Sequence, residues 1–130
     1  MLFRSHVVIK PHVKIKFPWK LHIADYTWIG EHCWIDNLDF VSIGAHCCLS
    51  QNVYLCCGNH NFSLSTFDLI TRPIQIKQGA WVAAAACVMP GTVLEEHVMV
   101  TAGSVISGAT IPYGIYRGTP ATLIKTRVIQ

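Results

Sequence analysis

Aliphatic residues recur along this chain every sixth position rather than with the period of a helix or a simple strand. The longest run is Ile76, Val82, Val88, Leu94, Val100 and Ile106. Four residues after each stands Ala80, Ala86, Thr92, Val98, Ser104 or Thr110, all small or β-branched. The same phase is found upstream in Ile9 and Ile15, then Ile23, Ile29 and Ile35, then Ile43, Leu49 and Leu55. A six-residue period fits short parallel strands joined by tight turns, with the aliphatic side chain inward. Three such units close a triangular coil, and coils stack at the ~4.8 Å spacing of neighbouring strands.

Grouped by coil, the inward residues fall into three columns. The first is Ile9, Ile29, Leu49, Val82 and Val100; the second is Ile15, Ile35, Leu55, Val88 and Ile106; the third is Ile23, Ile43, Ile76 and Leu94. The repeat breaks three times, and each break leaves the second column toward the third. Two breaks add two residues, and the third inserts one long loop at residues 61–73. The residues that violate the small-residue rule, Trp19, Asp39 and Asn59, fall on that same edge. Three departures stacked on one edge mark it as the place where the prism is put to use. The expectation is an all-β parallel β-helix, a triangular prism of about five coils, with residues 1–130 forming a single domain that ends in a short C-terminal extension.

Composition narrows the function classes. The chain is 52% hydrophobic and only 13% charged, which excludes disorder and implies that a partner covers part of the surface. The ten Lys and Arg residues are scattered along the chain, so no nucleic-acid partner is expected. No apolar run is long enough for a membrane span, and no signal-peptide core stands at the start, so a cytoplasmic location is expected. Six cysteines include the adjacent pairs Cys47-Cys48 and Cys56-Cys57, and zinc spacings are missing; reduced packing cysteines are expected.

Ile29-Gly30-Glu31-His32-Cys33-Trp34, Ile43-Gly44-Ala45-His46-Cys47-Cys48 and the run from Ile76 to Ile106 resemble hexapeptide repeats. With Gly118-Thr119-Pro120-Ala121, the likeness to left-handed β-helix acyltransferases covers nearly the whole chain. Ile35-Asp36-Asn37-Leu38, Leu55-Cys56-Cys57-Gly58-Asn59-His60 and Pro73-Ile74 most resemble the branch of colanic acid, galactoside, maltose and nodulation-factor acetyltransferases. The resemblance implies a left-handed prism and a homotrimer with its active site between subunits. It also implies O-acetylation of a saccharide or other small-molecule hydroxyl, with acetyl-CoA as co-substrate and no metal. N-acetylation of an amino sugar or small amine, and a non-catalytic trimeric scaffold, are the alternatives.

His60 opens the long excursion, where relatives carry their catalytic histidine. Imidazole is a suitable general base for direct transfer from a thioester to a hydroxyl. Asp36, Asn37 and Asp39 lie one coil earlier, beside Cys56 to His60, and are candidates to orient the acceptor or the imidazole. Trp34, on the same strand, joins the acceptor set. Phe17-Pro18-Trp19-Lys20 lies on the same edge another coil earlier, where its aromatics either stack on a sugar or cap the bulge. For the donor, the resemblance assigns Ala84, Ala102, Gly103 and Ser107 to a pantetheine groove. Gly118, Thr119 and Pro120 match the terminal element beside the coenzyme, and Lys125 matches a basic residue that meets its phosphates. Relatives often have Thr-Lys where this chain has Ser107-Gly108. His32, His46 and His97 occupy equivalent outward turn positions and are read as structural, whereas His6, His12 and His22 carry no motif.

Overall fold

A computed structural model describes residues 2–130. Strands mostly of two or three residues pass in turn onto three sheets that pair in parallel from coil to coil, and the first is closed by the antiparallel strand Ala121–Thr126. The first face contains Val8–Ile9, Trp28–Ile29, Cys48–Leu49, Trp81–Val82, Met99–Val100 and Gly114–Gly118. The second contains Lys14–Ile15, Trp34–Asp36, Tyr54–Cys56, Cys87–Val88 and Val105–Ile106. The third contains Leu2–Phe3, Leu21–Ile23, Val41–Ile43, Ile74–Ile76 and Val93–Leu94. The register pairs Ile9, Ile29, Leu49, Val82 and Val100 down the first column, and the other two columns pair as the periodicity predicts. Tyr116 extends the first column beneath Val100. The period does not announce this ring, which is 8% exposed and accepts a hydrogen bond on its hydroxyl from the Ile111 amide.

Tight corners explain both the small residues and the outward histidines. At nine corners a non-glycine residue takes the left-handed conformation: His6, His12, Tyr26, His32, His46, Asn52, Ala85, His97 and Tyr113, with φ between 56° and 64°. That conformation is unfavourable for L-residues, and ring stacking between successive coils offsets part of the cost. His6, Tyr26 and His46 stack at 4.7 and 5.1 Å, His12 and His32 at 5.0 Å, and His97 and Tyr113 at 4.8 Å. Five of the seven histidines are therefore corner residues. Gly30 and Gly44 follow the inward Ile29 and Ile43 because a Cβ there would come within 2.8 Å of the Gln51 amide nitrogen or 2.7 Å of the Gln78 amide nitrogen. Backbone cannot yield as a flexible side chain can, so the Ile-Gly pair recurs.

The irregular edge is more ordered than a loop. Gly58–His60 and Leu69–Thr71 pair antiparallel, so the expected long loop at 61–73 is the tip and return of a β-hairpin. Asn61 and Asp68 close the tip through a 2.8 Å backbone bond. His60 thus lies on a strand, and pairing with Leu69 fixes its backbone. One coil earlier, Asn37 is fully buried. Its Oδ1 accepts from the Phe17 amide at 2.9 Å, and its Nδ2 donates to the Phe17 carbonyl at 2.7 Å. Asn37 therefore braces the first bulge, with its Oδ1 and Nδ2 both bonded to the Phe17 backbone rather than turned to the surface.

All six cysteines are free. Cys33 and Cys47 fill inward corners, and Cys57 is buried beside them in the core. Alternation along the strand leaves Cys48 half-buried beside buried Cys47, but Cys56 is buried as well as Cys57. Burial pushes the Cys47 and Cys57 thiols up to about 11 from 9.0.

Two outcomes follow from this packing. Asn37→Ala leaves the Phe17 amide and carbonyl without partners, and is expected to destabilise the fold by about 2 kcal/mol. Thermal unfolding should then fall by roughly 6–10 °C. The raised thiols favour the folded state while they remain protonated, so their stabilisation is complete below pH 9 and is lost as pH rises from 9 toward 11. Melting curves across that window should show the decline, and a variant with Cys47 and Cys57 both replaced by Ala should show less of it.

Candidate active site

His60 is exposed on the hairpin, but its ring is not free to turn. It stacks on Phe67 at a centroid distance of 4.2 Å and an interplanar angle of 13°. Its Nδ1 lies 3.0 Å from the Phe67 carbonyl oxygen. A carbonyl can only accept, so Nδ1 carries the proton and Nε2 of the neutral ring presents a lone pair. Phe67 reaches this position through a left-handed φ of 51°. The His60 amide also donates to the Asn59 Oδ1 at 2.8 Å. The hairpin therefore fixes tautomer, ring plane and backbone together.

Below the hairpin a cleft of about 300 Å³ is lined by Asn59, Ile70, Arg72, Met89, Pro90 and Ser107. Ser107 is the one donor-side residue that the structure brings to the base of the hairpin. Ala84, Ala102 and Gly103 sit at the far corner of the second face, where Gly103 donates its amide to the Ala84 carbonyl. Gly118 joins that corner through its amide and the Ser104 hydroxyl, 3.0 Å apart. Thr119-Pro120 makes the reversal into the last strand, Ala121–Thr126. Lys125 is exposed and pairs across from Ile115 on the first face, away from both groups. Of the residues assigned to the donor, Ser107 thus stands apart from Ala84, Ala102, Gly103 and Gly118 by the width of the second face, and Lys125 stands apart from both.

Above the hairpin, Asp36 pairs with Cys56 and accepts from the Tyr54 hydroxyl at 3.4 Å. Burial, a hydrogen bond with Cys56 and the Asp36 carboxylate hold the Tyr54 phenol above its usual range, so it remains a donor. Trp34 lies tilted against Tyr54 at 5.0 Å, with the Lys14 ammonium 5.5 Å from its ring. Trp34 and Asp36 point from the same side of one strand. Asp39 turns one carboxylate oxygen to the Phe40 amide at 2.7 Å.

Sequence reasoning missed Arg72, Asn59 and the Phe67 carbonyl. Asn59 lies within the hairpin stem opposite Ile70, and Arg72 follows the stem with its amide donating to the Cys57 carbonyl at 3.0 Å; the pairing of Gly58–His60 with Leu69–Thr71 was the missing signal. Among the described residues no group of three His, Cys, Asp or Glu side chains is placed to hold a metal ion, and no helix is long and apolar enough to cross a membrane.

No family model matches the chain. It is 37% identical over 124 residues to the colanic acid biosynthesis acetyltransferase WcaF of Escherichia coli (strain K12), covering 95% of this chain and 68% of that protein. It is 25% identical over 118 residues to the lipopolysaccharide biosynthesis O-acetyl transferase WbbJ of the same organism, covering 81% of this chain and 60% of WbbJ. Among solved structures, the hexapeptide-repeat acetyltransferase VCA0836 of Vibrio cholerae, complexed with acetyl coenzyme A, superposes with a TM-score of 0.90 at 20% identity over 98% of this chain and 72% of its own. A maltose O-acetyltransferase from Clostridium difficile 630 superposes with a TM-score of 0.90 at 18% identity, again over 98% and 72%. The two structures match the fold; the columns, the His60 hairpin and the identity to WcaF together place this chain in the hexapeptide-repeat acetyltransferase family.

Proposed function

We propose that this protein transfers the acetyl group of acetyl-CoA to a hydroxyl of a saccharide, with His60 as general base. The observation that carries this reading is the Nδ1 contact to the Phe67 carbonyl, which leaves the Nε2 lone pair of an exposed ring free to take a proton. The acceptor hydroxyl gives its proton to Nε2 while its oxygen attacks the thioester carbonyl. As the tetrahedral intermediate collapses, the carbon–sulfur bond breaks, and the imidazolium returns the proton to the departing thiolate. Polar groups at the cleft are suited to the developing oxyanion, and Asn59, Arg72 and Ser107 are the candidates there. No thiolate nucleophile is needed.

On this reading the thioester enters the cleft past Ser107, and the pantetheine arm extends toward Ala84, Ala102 and Gly103. Gly118, Thr119 and Pro120 flank it, and Lys125 meets phosphate only if a neighbouring subunit brings the first face close. The acceptor lies above the hairpin against Asp36, Asp39 and Trp34. Assembly as a trimer is part of the proposal. Phe62, 86% exposed, and exposed Leu64 and Leu69 leave the hairpin with apolar side chains in solvent. The outward row Val8, Trp28, Cys48, Trp81 and Met99 makes an apolar stripe down the first face. Such surface calls for a partner, and a second copy of the chain supplies it.

His60→Ala should lower kcat by about 10²–10⁴-fold, the usual loss on removing a general base. The affinity for coenzyme A and the unfolding midpoint should be unchanged within error. Acetyl-CoA turnover with a panel of sugars and amino sugars measures this, and alkali-labile ester products separate O-acetylation from amide formation. Retention of more than about a third of the turnover would remove His60 from the mechanism. Light scattering at micromolar concentration should give three times the chain mass; a stable monomer would refute the assembly.

A further inference from the structure

The irregular edge carries a second constellation, one coil and two coils above the hairpin. Pro18–Lys20 forms a single 3₁₀ turn in the first bulge, and Asn37 clamps the preceding residue, Phe17, from within the core. A buried side chain thereby fixes an otherwise irregular surface segment. What that segment displays is aromatic and cationic. Trp19 is 68% exposed and Phe40 62%, with Phe17 tilted against Trp19 at 5.1 Å. A contiguous, rigid and exposed aromatic surface forgoes burial, and such patches mark binding sites.

Charge on this end of the prism is one-sided. Residues 1–24 contain Arg4, Lys10, Lys14, Lys16 and Lys20 and no Asp or Glu. The Lys20 ammonium lies 5.6 Å from the Phe17 ring centroid and 5.8 Å from that of Phe40, and the Lys16 ammonium lies 5.7 Å from Phe17. Two ammonium groups thus share one ring. Among the described residues the one ion pair is Lys77–Glu95, so neither lysine has a carboxylate within salt-bridge distance. Lys20 gives one of its three donors to the Leu38 carbonyl at 3.2 Å, which orients the group and leaves two donors. Asp36 and Asp39 lie on the hairpin side of the patch, so the field is positive away from the base and negative next to it.

From this geometry we propose an acceptor subsite for a sugar bearing an anionic substituent, a carboxylate or a phosphate. The pyranose ring stacks on Trp19 and Phe40, and the anion sits between Lys16 and Lys20. Strand spacing puts Trp19 two coils, ~10 Å, from the layer of Asn59 and His60. The subsite therefore holds a part of the acceptor remote from the reacting hydroxyl and sets specificity rather than rate. The inference rests on the acetyl-transfer reading only for the word acceptor; the binding itself does not depend on it.

Glucose, glucuronate and glucose 1-phosphate separate the possibilities in isothermal titration and in acetyl-transfer assays. Wild-type protein should bind at least one anionic sugar about tenfold more tightly than glucose, and which one identifies the anion. Lys16→Gln with Lys20→Gln should abolish that preference and leave glucose binding unchanged, whereas Trp19→Ala should weaken all three. Free inorganic phosphate should compete for the phosphate form only. In turnover, these changes should raise KM for the anionic acceptor and leave kcat and the KM for acetyl-CoA alone. Equal affinity for charged and neutral sugars, or a preference that survives the lysine changes, overturns the subsite. Selective binding without transfer to any of the three, by protein that also fails to turn over acetyl-CoA with the wider panel, would uphold the subsite and count against the reaction.

Discussion

Each coil of this protein rests on the one before it through backbone hydrogen bonds that run along the prism axis, from Lys10 to Ile29, Gly30 to Leu49 and Ser50 to Val82. Stacking identical layers places each inward aliphatic side chain above another, so Ile29, Leu49, Val82 and Val100 are all fully buried. A prism of this kind has almost no contact that is not to the next layer. Its interior is too narrow for large side chains at the corners, which is why Ala80, Ala86, Thr92 and Ser104 stand there. Thr92 shows how a polar group survives in such a place: its hydroxyl donates to the Met89 carbonyl at 2.6 Å. The repeat is therefore a consequence of stacking and not a decoration on it.

Against that regularity the third edge is where chemistry becomes possible. A strict six-residue corner leaves no backbone free to leave the surface. Insertions there release it. The first bulge projects Trp19 and Lys20, the second turns Asp39 and Phe40 outward, and the third grows into the hairpin that carries His60. Each insertion is held by a specific polar device. Asn37 clamps the first through Phe17, Asp39 caps the amide of Phe40, and backbone pairing of Gly58–His60 with Leu69–Thr71 holds the third. Rigid support of this kind is what the role proposed for His60 requires, since a misdirected imidazole loses most of its effect as a base.

The histidines show how position overrides residue type. Seven of them invite a metal reading by number, yet five occupy left-handed corners and stack in columns on tyrosines or on one another. His60 combines a stacked ring with a carbonyl on Nδ1. His22 differs again, facing a cleft on the third face beside Ser42 and Gln75.

The six-residue period determined the fold, because each layer must repeat the volume of the last. The columns, the parallel register and the location of the irregular edge were legible for that reason, and the placement of His60 on that edge was legible with them. Periodicity has no purchase where the repeat fails. The pairing that turns residues 61–73 into the return of a hairpin joins residues about nine to thirteen positions apart, and only the folded chain brings Leu69 beside His60. The burial of Asn37 depended on the backbone of Phe17, twenty residues away, arriving with both its amide and its carbonyl turned inward. The imidazole tautomer depended on the carbonyl of Phe67, a main-chain group whose direction no side-chain pattern encodes. Residue type set the layers; the directions of main-chain polar groups at the breaks, settled only on folding, set the site.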